Sequence, residues 1–231
     1  MRLFFDPNIN ASLQTFILSE EESKHIIRVL RMKTNDKLVV LNGKGASFTC
    51  EIKENHSKKC ELRILKVDQD LPLNYSIHIA IGPTKQMDRM EWFIEKATEL
   101  GITEISLIAC KNQERTKLKI DRLLKKAVSA MKQSQRTFLP KINDIVDLKS
   151  FVKSNPNGLI AHCRDEDKHT FHQDFSKTNC PILIGPEGDF TKEEIELALN
   201  NGYKAITLGE NRLRTETAGL YACMFAKTLI E

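Results

Sequence analysis

Two glycine-bearing segments in the last third of the chain directly follow apolar runs, and their residue types suit a polar ligand. Ile182-Leu183-Ile184 runs into Gly185-Pro186-Glu187-Gly188-Asp189-Phe190. Ile206-Thr207-Leu208 runs into Gly209-Glu210-Asn211-Arg212-Leu213-Arg214-Thr215-Glu216-Thr217-Ala218. A third apolar run ends in Ile160-Ala161-His162-Cys163-Arg164. Glycine after a buried strand lets a ligand approach the backbone and leaves amide and carbonyl groups to read a polar edge such as adenine. The wording is not that of a phosphate loop: G-x-x-x-x-G-K-[ST] is absent, and Gly43-Lys44-Gly45 lacks the third glycine and the helix of a dinucleotide fingerprint. Taken alone, Gly185-Pro186-Glu187-Gly188 reads equally well as a tight turn before a capped helix.

Charge supplies a second signal. Residues 111–141 hold ten Lys/Arg (Lys111, Arg115, Lys117, Lys119, Arg122, Lys125, Lys126, Lys132, Arg136, Lys141) against Glu114 and Asp121, a net +8. The whole chain carries +4, so the other 200 residues sum to −4. A concentrated basic face is the footprint of a polyanion binder, and a solvated helix face is the competing reading. The six cysteines (Cys50, Cys60, Cys110, Cys163, Cys180, Cys223) form no C-x-x-C pair. They read as free, mostly buried thiols in a reducing compartment. His169-x-x-His172 beside Cys163 has a metal-like look, but Asp165, Glu166 and Asp167 between them suggest a solvated loop, so no metal site is expected. No run approaches the roughly 20 apolar residues of a membrane span, and Met1-Arg2-Leu3-Phe4-Phe5-Asp6-Pro7 meets a charge and a proline too early for a signal peptide. A soluble cytoplasmic protein is expected.

The elements that must position these residues fall into two blocks. In residues 1–70, Ser19-Glu20-Glu21-Glu22 starts a short helix holding His25, Ile26, Val29 and Leu30. Strand-like runs follow at 37–41, 47–52 and 60–65, with Asn42-Gly43-Lys44-Gly45 as a hairpin turn between the first two. This block reads as a small β-rich unit, a barrel, and Asp68–Asn74 as its linker. From residue 75 the rhythm is strand and helix. Strands are expected at 77–81, 105–109, 159–161, 182–184 and 205–208, and helices at 86–100, 120–138 and 216–229. Met90, Phe93, Ile94, Ala97, Leu100 and Trp92 are expected in the core of the first helix, and Leu123, Leu124, Ala127 and Met131 on the inner face of the second. A further helix opens on a capping box, Thr191 with Glu194. Such alternation argues for a parallel α/β sheet, with ligands beyond the carboxyl ends of its strands.

Gly-Pro-Glu-Gly-x-Phe followed by Leu-Gly-x-x-x-Leu-Arg-Thr-Glu-Thr-Ala resembles the ribosomal RNA small subunit methyltransferase E family, 16S rRNA uridine-N3 methyltransferases of the SPOUT superfamily. Arg2-x-Phe4, His25-x-x-x-Val29-Leu30-Arg31, Glu95-Lys96-Ala97-Thr98-Glu99-Leu100-Gly101 and Gln133-Ser134-x-Arg136 extend the likeness along essentially the whole chain. Three positions depart from the family's pattern. Asp189 stands where a second glycine is more common, Arg212 where an aliphatic residue is usual, and Lys132 where an acid commonly precedes Gln133-Ser134. The last enlarges the basic face.

The resemblance implies a PUA-like RNA-binding barrel over 1–70 and, over 75–231, a SPOUT-type parallel-sheet methyltransferase domain with a trefoil knot. Topology rules alone predict an unknotted sheet. It also implies S-adenosylmethionine as cofactor, 16S rRNA within the 30S subunit as substrate, and a homodimer. Backbone groups of Ile184, Gly185, Gly188, Leu208, Gly209 and Leu213 are the expected cofactor contacts. Arg214 is the expected reacting-centre residue, holding a uracil carbonyl and stabilising charge as N3 deprotonates; an ion pair with Glu216 or Glu187 is its structural alternative. Glu216 is either a base or a helix N-terminal acid, and Thr215 and Thr217 either touch ligand or cap the last helix. Arg2, Arg28, Arg31 and Lys33 from the barrel, with Arg115 and Arg136 from the catalytic domain, are the expected phosphate contacts.

Overall fold

The computed structural model describes residues 2–114, 118–165 and 167–231. It divides into two compact units, Met1–Pro72 with Met131–Leu139, and Leu73–Ala130 with Pro140–Glu231.

The first unit is a five-stranded sheet built from β1 (Leu3–Phe5), β2 (Thr15–Ile17), β3 (Lys37–Leu41), β4 (Ala46–Glu54) and β5 (Glu61–Gln69), with helix α1 (Glu20–Lys24) between β2 and β3. The strand order is β1-β3-β4-β5-β2, with β1 parallel to β3 and the other pairings antiparallel. It is the PUA-like barrel expected from the motifs. Alternation along β4 buries Ala46, Phe48, Cys50 and Ile52, which meet Phe4, Ile26, Leu38, Val40 and Leu62 in one core. Ser19 caps α1, its hydroxyl accepting from the Glu22 N–H. The helix then widens into a π-turn over His25–Val29, closed by the Leu30 N–H donating to the His25 carbonyl at 3.0 Å. Val29 is left 68% exposed beside the exposed Arg28.

Asn42–Gly45 makes the hairpin turn that the sequence predicts, and it also receives residues from far along the chain. The Gly45 N–H donates to the Thr137 carbonyl (3.0 Å), and the Leu139 N–H to the Gly43 carbonyl (2.9 Å). Gly45 has φ +91°, and a Cβ there would lie 2.4 Å from the Phe138 ring, so both its backbone and its bareness are required. Met131 and Leu139 join Leu3, Phe5, Val39 and Leu41 in a second cluster.

The second unit holds a seven-stranded sheet. In chain order it runs β6 (His78–Ile81), α2 (Met87–Leu100), β7 (Glu104–Ala109), α3 (Ile120–Gln133, its last turn in the first unit), β8 (Lys141–Asp147), α4 (Leu148–Ser154) and β9 (Leu159–Ala161). Then come β10 (His169–Thr170), α5 (Phe171–Asp174), β11 (Pro181–Ile184), α6 (Lys192–Asn200), β12 (Lys204–Thr207) and α7 (Thr215–Ile230). The order β10-β12-β9-β11-β6-β7-β8 is parallel throughout. β6 and β11 are buried at every residue, as a sheet covered on both faces demands. The chain lays down β6, β7 and β8 to one side, returns to β9, and inserts β11 between β9 and β6. From β12, α7 doubles back to pack on α2, β6 and β11. This is the parallel-sheet α/β domain expected over the C-terminal part.

Several details differ from the sequence reading. Helix α3 stops at Gln133 instead of Phe138, because Gln135 turns the chain with φ +57° and the Arg136 N–H closes the end on the Met131 carbonyl. Trp92, expected in the core of α2, is 41% exposed, and Leu124 is 40% exposed where only Leu123 faces inward. Five cysteines are buried and Cys163 is exposed, all with free thiols.

Candidate active site

The cleft lies over the carboxyl ends of β9, β11 and β12, near the point where the strand order reverses. One half is lined by Ala161–Cys163 and the loop from Ile206 to Leu213; the adjoining half by Ile184–Asp189 and Arg212–Thr215. All six expected cofactor contacts therefore meet in one place. Ile184, Gly185 and Gly188 line one half, Leu208 and Gly209 the other, and Leu213 both. Arg214 is exposed on the same wall.

The walls are held by hydrogen bonds that converge on the Gly185–Phe190 loop. The Gly82 N–H donates to the Ile184 carbonyl at 2.9 Å, and a Cβ on Gly82 would meet the Pro186 nitrogen at 2.7 Å. The Lys85 N–H donates to Glu187 Oε1 (2.9 Å), and the Asn112 amide to the carbonyls of Gly188 (3.0 Å) and Asp189 (3.2 Å). The predicted capping box at Thr191 is present, and Glu194 uses its other oxygen to accept from the Lys111 N–H at 2.7 Å. Asp189 explains its own departure from glycine. Its φ is +58°, a left-handed value that Asp tolerates better than most residues. Its carboxylate accepts from the N–H groups of Cys163 (2.8 Å) and Phe190 (2.8 Å), tying the loop to the end of β9. Burial, with Glu194 and Asp189 nearby, pushes the Cys110 thiol up, so it stays protonated.

Gly209 tests the fit to a nucleoside cofactor. Its φ is +119°, and no atom lies within 4 Å of where a Cβ would sit, so the space beside this backbone is open. Gly188 is bare for another reason: a Cβ there would strike Asn112 at 2.8 Å. One loop glycine thus borders open space and the other makes way for the protein.

At the start of α7, Arg214 occupies the N-cap position and no side chain caps the helix. Thr215 and Thr217 are its first and third residues and neither acts as the cap. The expected alternative partners of Arg214 are engaged elsewhere. Glu216 Oε1 faces Arg89 Nε at 3.7 Å, and Glu187 accepts from the Lys85 N–H. Among the described residues no carboxylate lies within ion-pair distance of Arg214.

The basic residues sort differently from their sequence. Arg2, Arg28, Arg31 and Lys33 are exposed on the first unit, where Arg2 Nη1 donates to the Leu30 carbonyl (3.3 Å) and so sits beside Arg31. Among the described residues none of these four has a carboxylate within ion-pair distance. Arg136 belongs to this same unit and not, as expected, to the catalytic domain. Arg115 lies outside the described residues. Within the +8 stretch, Arg122 pairs with Glu91 and Asp88, Lys126 with Glu95 (3.2 Å) and Lys141 with Glu104 (2.9 Å). Lys132 does not enlarge a basic face. It is paired with Glu22 at 3.1 Å, and Glu22 also accepts from the Phe5 N–H.

At the metal-like cluster, His169 Nδ1 is bonded to Asp174 Oδ2 at 2.5 Å. Among the described residues no group of three or more His, Cys, Asp and Glu side chains could hold a metal ion, and no helix is long and apolar enough to cross a membrane.

Known proteins fit this geometry. A family model described as an RNA methyltransferase domain matches residues 71–227, and one described as an RNA methyltransferase PUA domain matches residues 18–65. The chain is 36% identical to a Porphyromonas gingivalis protein assigned as an rRNA-methyltransferase, covering 99% of this chain and 98% of that one with a TM-score of 0.89. It is 27% identical to a ribosomal RNA small subunit methyltransferase E of Neisseria gonorrhoeae crystallised with S-adenosyl methionine, covering 99% and 98% with a TM-score of 0.83. A protein of that name from Rickettsia conorii is 28% identical over 227 residues, 96% of this chain and 92% of its own length.

Proposed function

The chain belongs to the RNA methyltransferase family, and we propose that it methylates N3 of a uridine in 16S rRNA of the small ribosomal subunit, using S-adenosylmethionine, as a cytoplasmic homodimer. The observation that carries this reading is the meeting of the two glycine loops over the ends of β11 and β12 with Arg214, which has no carboxylate within ion-pair distance among the described residues. The names of the small-subunit relatives, one of them crystallised with S-adenosyl methionine, support the substrate and the cofactor.

Bound in this cleft, S-adenosylmethionine supplies a methyl group made electrophilic by its sulfonium. The protein's own part is recognition and charge placement. Backbone groups of Ile184, Gly185, Gly188, Leu208, Gly209 and Leu213 hold the cofactor, with the open side of Gly209 giving it room. Arg214 holds a uracil carbonyl oxygen and stabilises the negative charge that grows there as N3 loses its proton, without first breaking an ion pair. The barrel, residues 1–70, holds RNA phosphates through Arg2, Arg28, Arg31 and Lys33, with Arg136 and Arg115 as further contacts.

Two measurements test this. Nucleoside mass spectrometry of rRNA from a deletion strain should lose an N3-methyluridine that the complemented strain regains; persistence of the nucleoside refutes the assignment. Incubating the purified protein with naked 16S rRNA and with 30S particles identifies the substrate form, and the reading predicts transfer to the particle.

A further inference from the structure

The methylation reading leaves unassigned a small cleft on the second unit, lined by Asp88, Arg89, Trp92, Arg214, Glu216 and Thr217. Three observations set it apart. Glu216 is only 7% exposed, and its Oε2 is buried with no hydrogen-bond partner. A buried carboxylate oxygen left unsatisfied is destabilising, so its retention calls for a reason. Its other oxygen faces Arg89 Nε at 3.7 Å, which orients the carboxylate and leaves Oε2 for a ligand. Trp92 is the chain's single tryptophan, and it stands 41% exposed at this cleft on a helix whose Met90, Phe93, Ile94 and Ala97 are all buried. Arg214 lines both this cleft and the cofactor half of the main one, so the two spaces share a wall.

The geometry points to this cleft as the subsite of the target base, with Trp92 as its stacking face and Glu216 Oε2 as the acceptor of the base's N3–H. The inference rests on the methylation reading and deepens it. An aromatic face suits any base, because every base has a π-face to stack. The free carboxylate oxygen adds selectivity, because uracil presents an N3–H donor where cytosine presents a lone pair. In the reaction, the N3–H bond breaks and its proton passes to Glu216 Oε2. The electron pair left on N3 forms the bond to the methyl carbon, while the pair of the broken carbon–sulfur bond stays on sulfur. The neutral carboxyl then gives its proton to water. Arg214, at the shared wall, faces the carbonyl next to N3.

Because Trp92 is the only indole, its fluorescence reports this cleft alone. The full chain, with S-adenosylhomocysteine present, is titrated with a short single-stranded RNA carrying one uridine among cytidines, and with the all-cytidine RNA. Stronger quenching by the uridine RNA is expected, and Glu216→Gln should erase the difference. Equal quenching by both RNAs, or an emission that responds to protein dilution and not to RNA, overturns the inference; the latter makes the cleft a subunit contact. A second arm separates a proton acceptor from a structural carboxylate. On rRNA containing 5-fluorouridine, whose N3 proton is more acidic, Glu216→Gln should recover about tenfold or more of its lost turnover. A purely structural Glu216 predicts no recovery. Should Glu216→Gln fail to fold, Trp92→Leu at its exposed position should raise the KM for RNA with cofactor affinity unchanged, and an unchanged KM counts against the subsite. If the wild-type protein forms no N3-methyluridine, the methylation reading fails, while the quenching still reports whether uridine enters this cleft.

Discussion

The cleft over β11 and β12 and the basic stretch 111–141 are equally suggestive in the sequence, and the folded chain treats them in opposite ways. The loop residues from Ile184 to Gly188 and from Leu208 to Arg214 converge, and Arg214 stays free of carboxylates among the described residues. The basic stretch disperses. Arg122 and Lys126 are matched by acids on α2, Lys132 by Glu22 and Lys141 by Glu104. A glycine after a buried strand constrains its own backbone, so its meaning travels with the sequence. A lysine carries no such guarantee, because its availability depends on which acids the fold brings opposite it. Among the described residues Arg2, Arg28, Arg31 and Lys33 of the first unit have no carboxylate within ion-pair distance, and they lie where the sequence shows no charge run.

The largest effect that could break this contrast is at Gly209. A Gly209→Val variant forces a β-branched side chain onto φ +119° and fills the open space beside it. The S-adenosylmethionine Kd by calorimetry should rise about tenfold or more, equivalent to about 1.4 kcal/mol. An unchanged Kd would place the cofactor elsewhere. A smaller effect sharpens the other side. Arg28→Ala should weaken rRNA binding and lower the salt slope of log K by about one, as loss of a phosphate contact requires. Arg122→Ala, whose guanidinium is already committed to Glu91 and Asp88, should leave both within error. The reverse pattern would return the RNA face to α3.

Much of the frame was legible. Apolar runs gave β6, β7, β9, β11 and β12, the capping box gave α6, and Asn42-Gly43 gave the hairpin. What escaped depends on partners distant in sequence. The strands β1 and β2 are three residues each, too short for a pattern, and gain their order from β3 and β5. The helix end at Gln133 is set by a left-handed residue that is not glycine, and 137–139 find their place on a turn some 90 residues earlier. Helical spacing sets Trp92 off the face of Met90, Phe93, Ile94 and Ala97, so its exposure was legible in the pattern, and only its large aromatic side chain argued for the core. The third strand end, Ala161–Cys163, was legible as an apolar run beside the two glycine loops and lines the cleft with them; the hydrogen bond from the Cys163 N–H to Asp189, which ties it to the Gly185–Phe190 loop, depends on partners 26 residues apart.

In the reading proposed above, Arg214 serves the reacting base and not the architecture of the cofactor loop. Arg214→Ala, assayed on 30S particles and titrated with S-adenosylmethionine in parallel, separates these two roles. Turnover should fall by about a hundredfold or more, with cofactor Kd changed by less than about threefold. Affinity collapsing in step with turnover would make Arg214 a loop-structuring residue with no part at the reacting base.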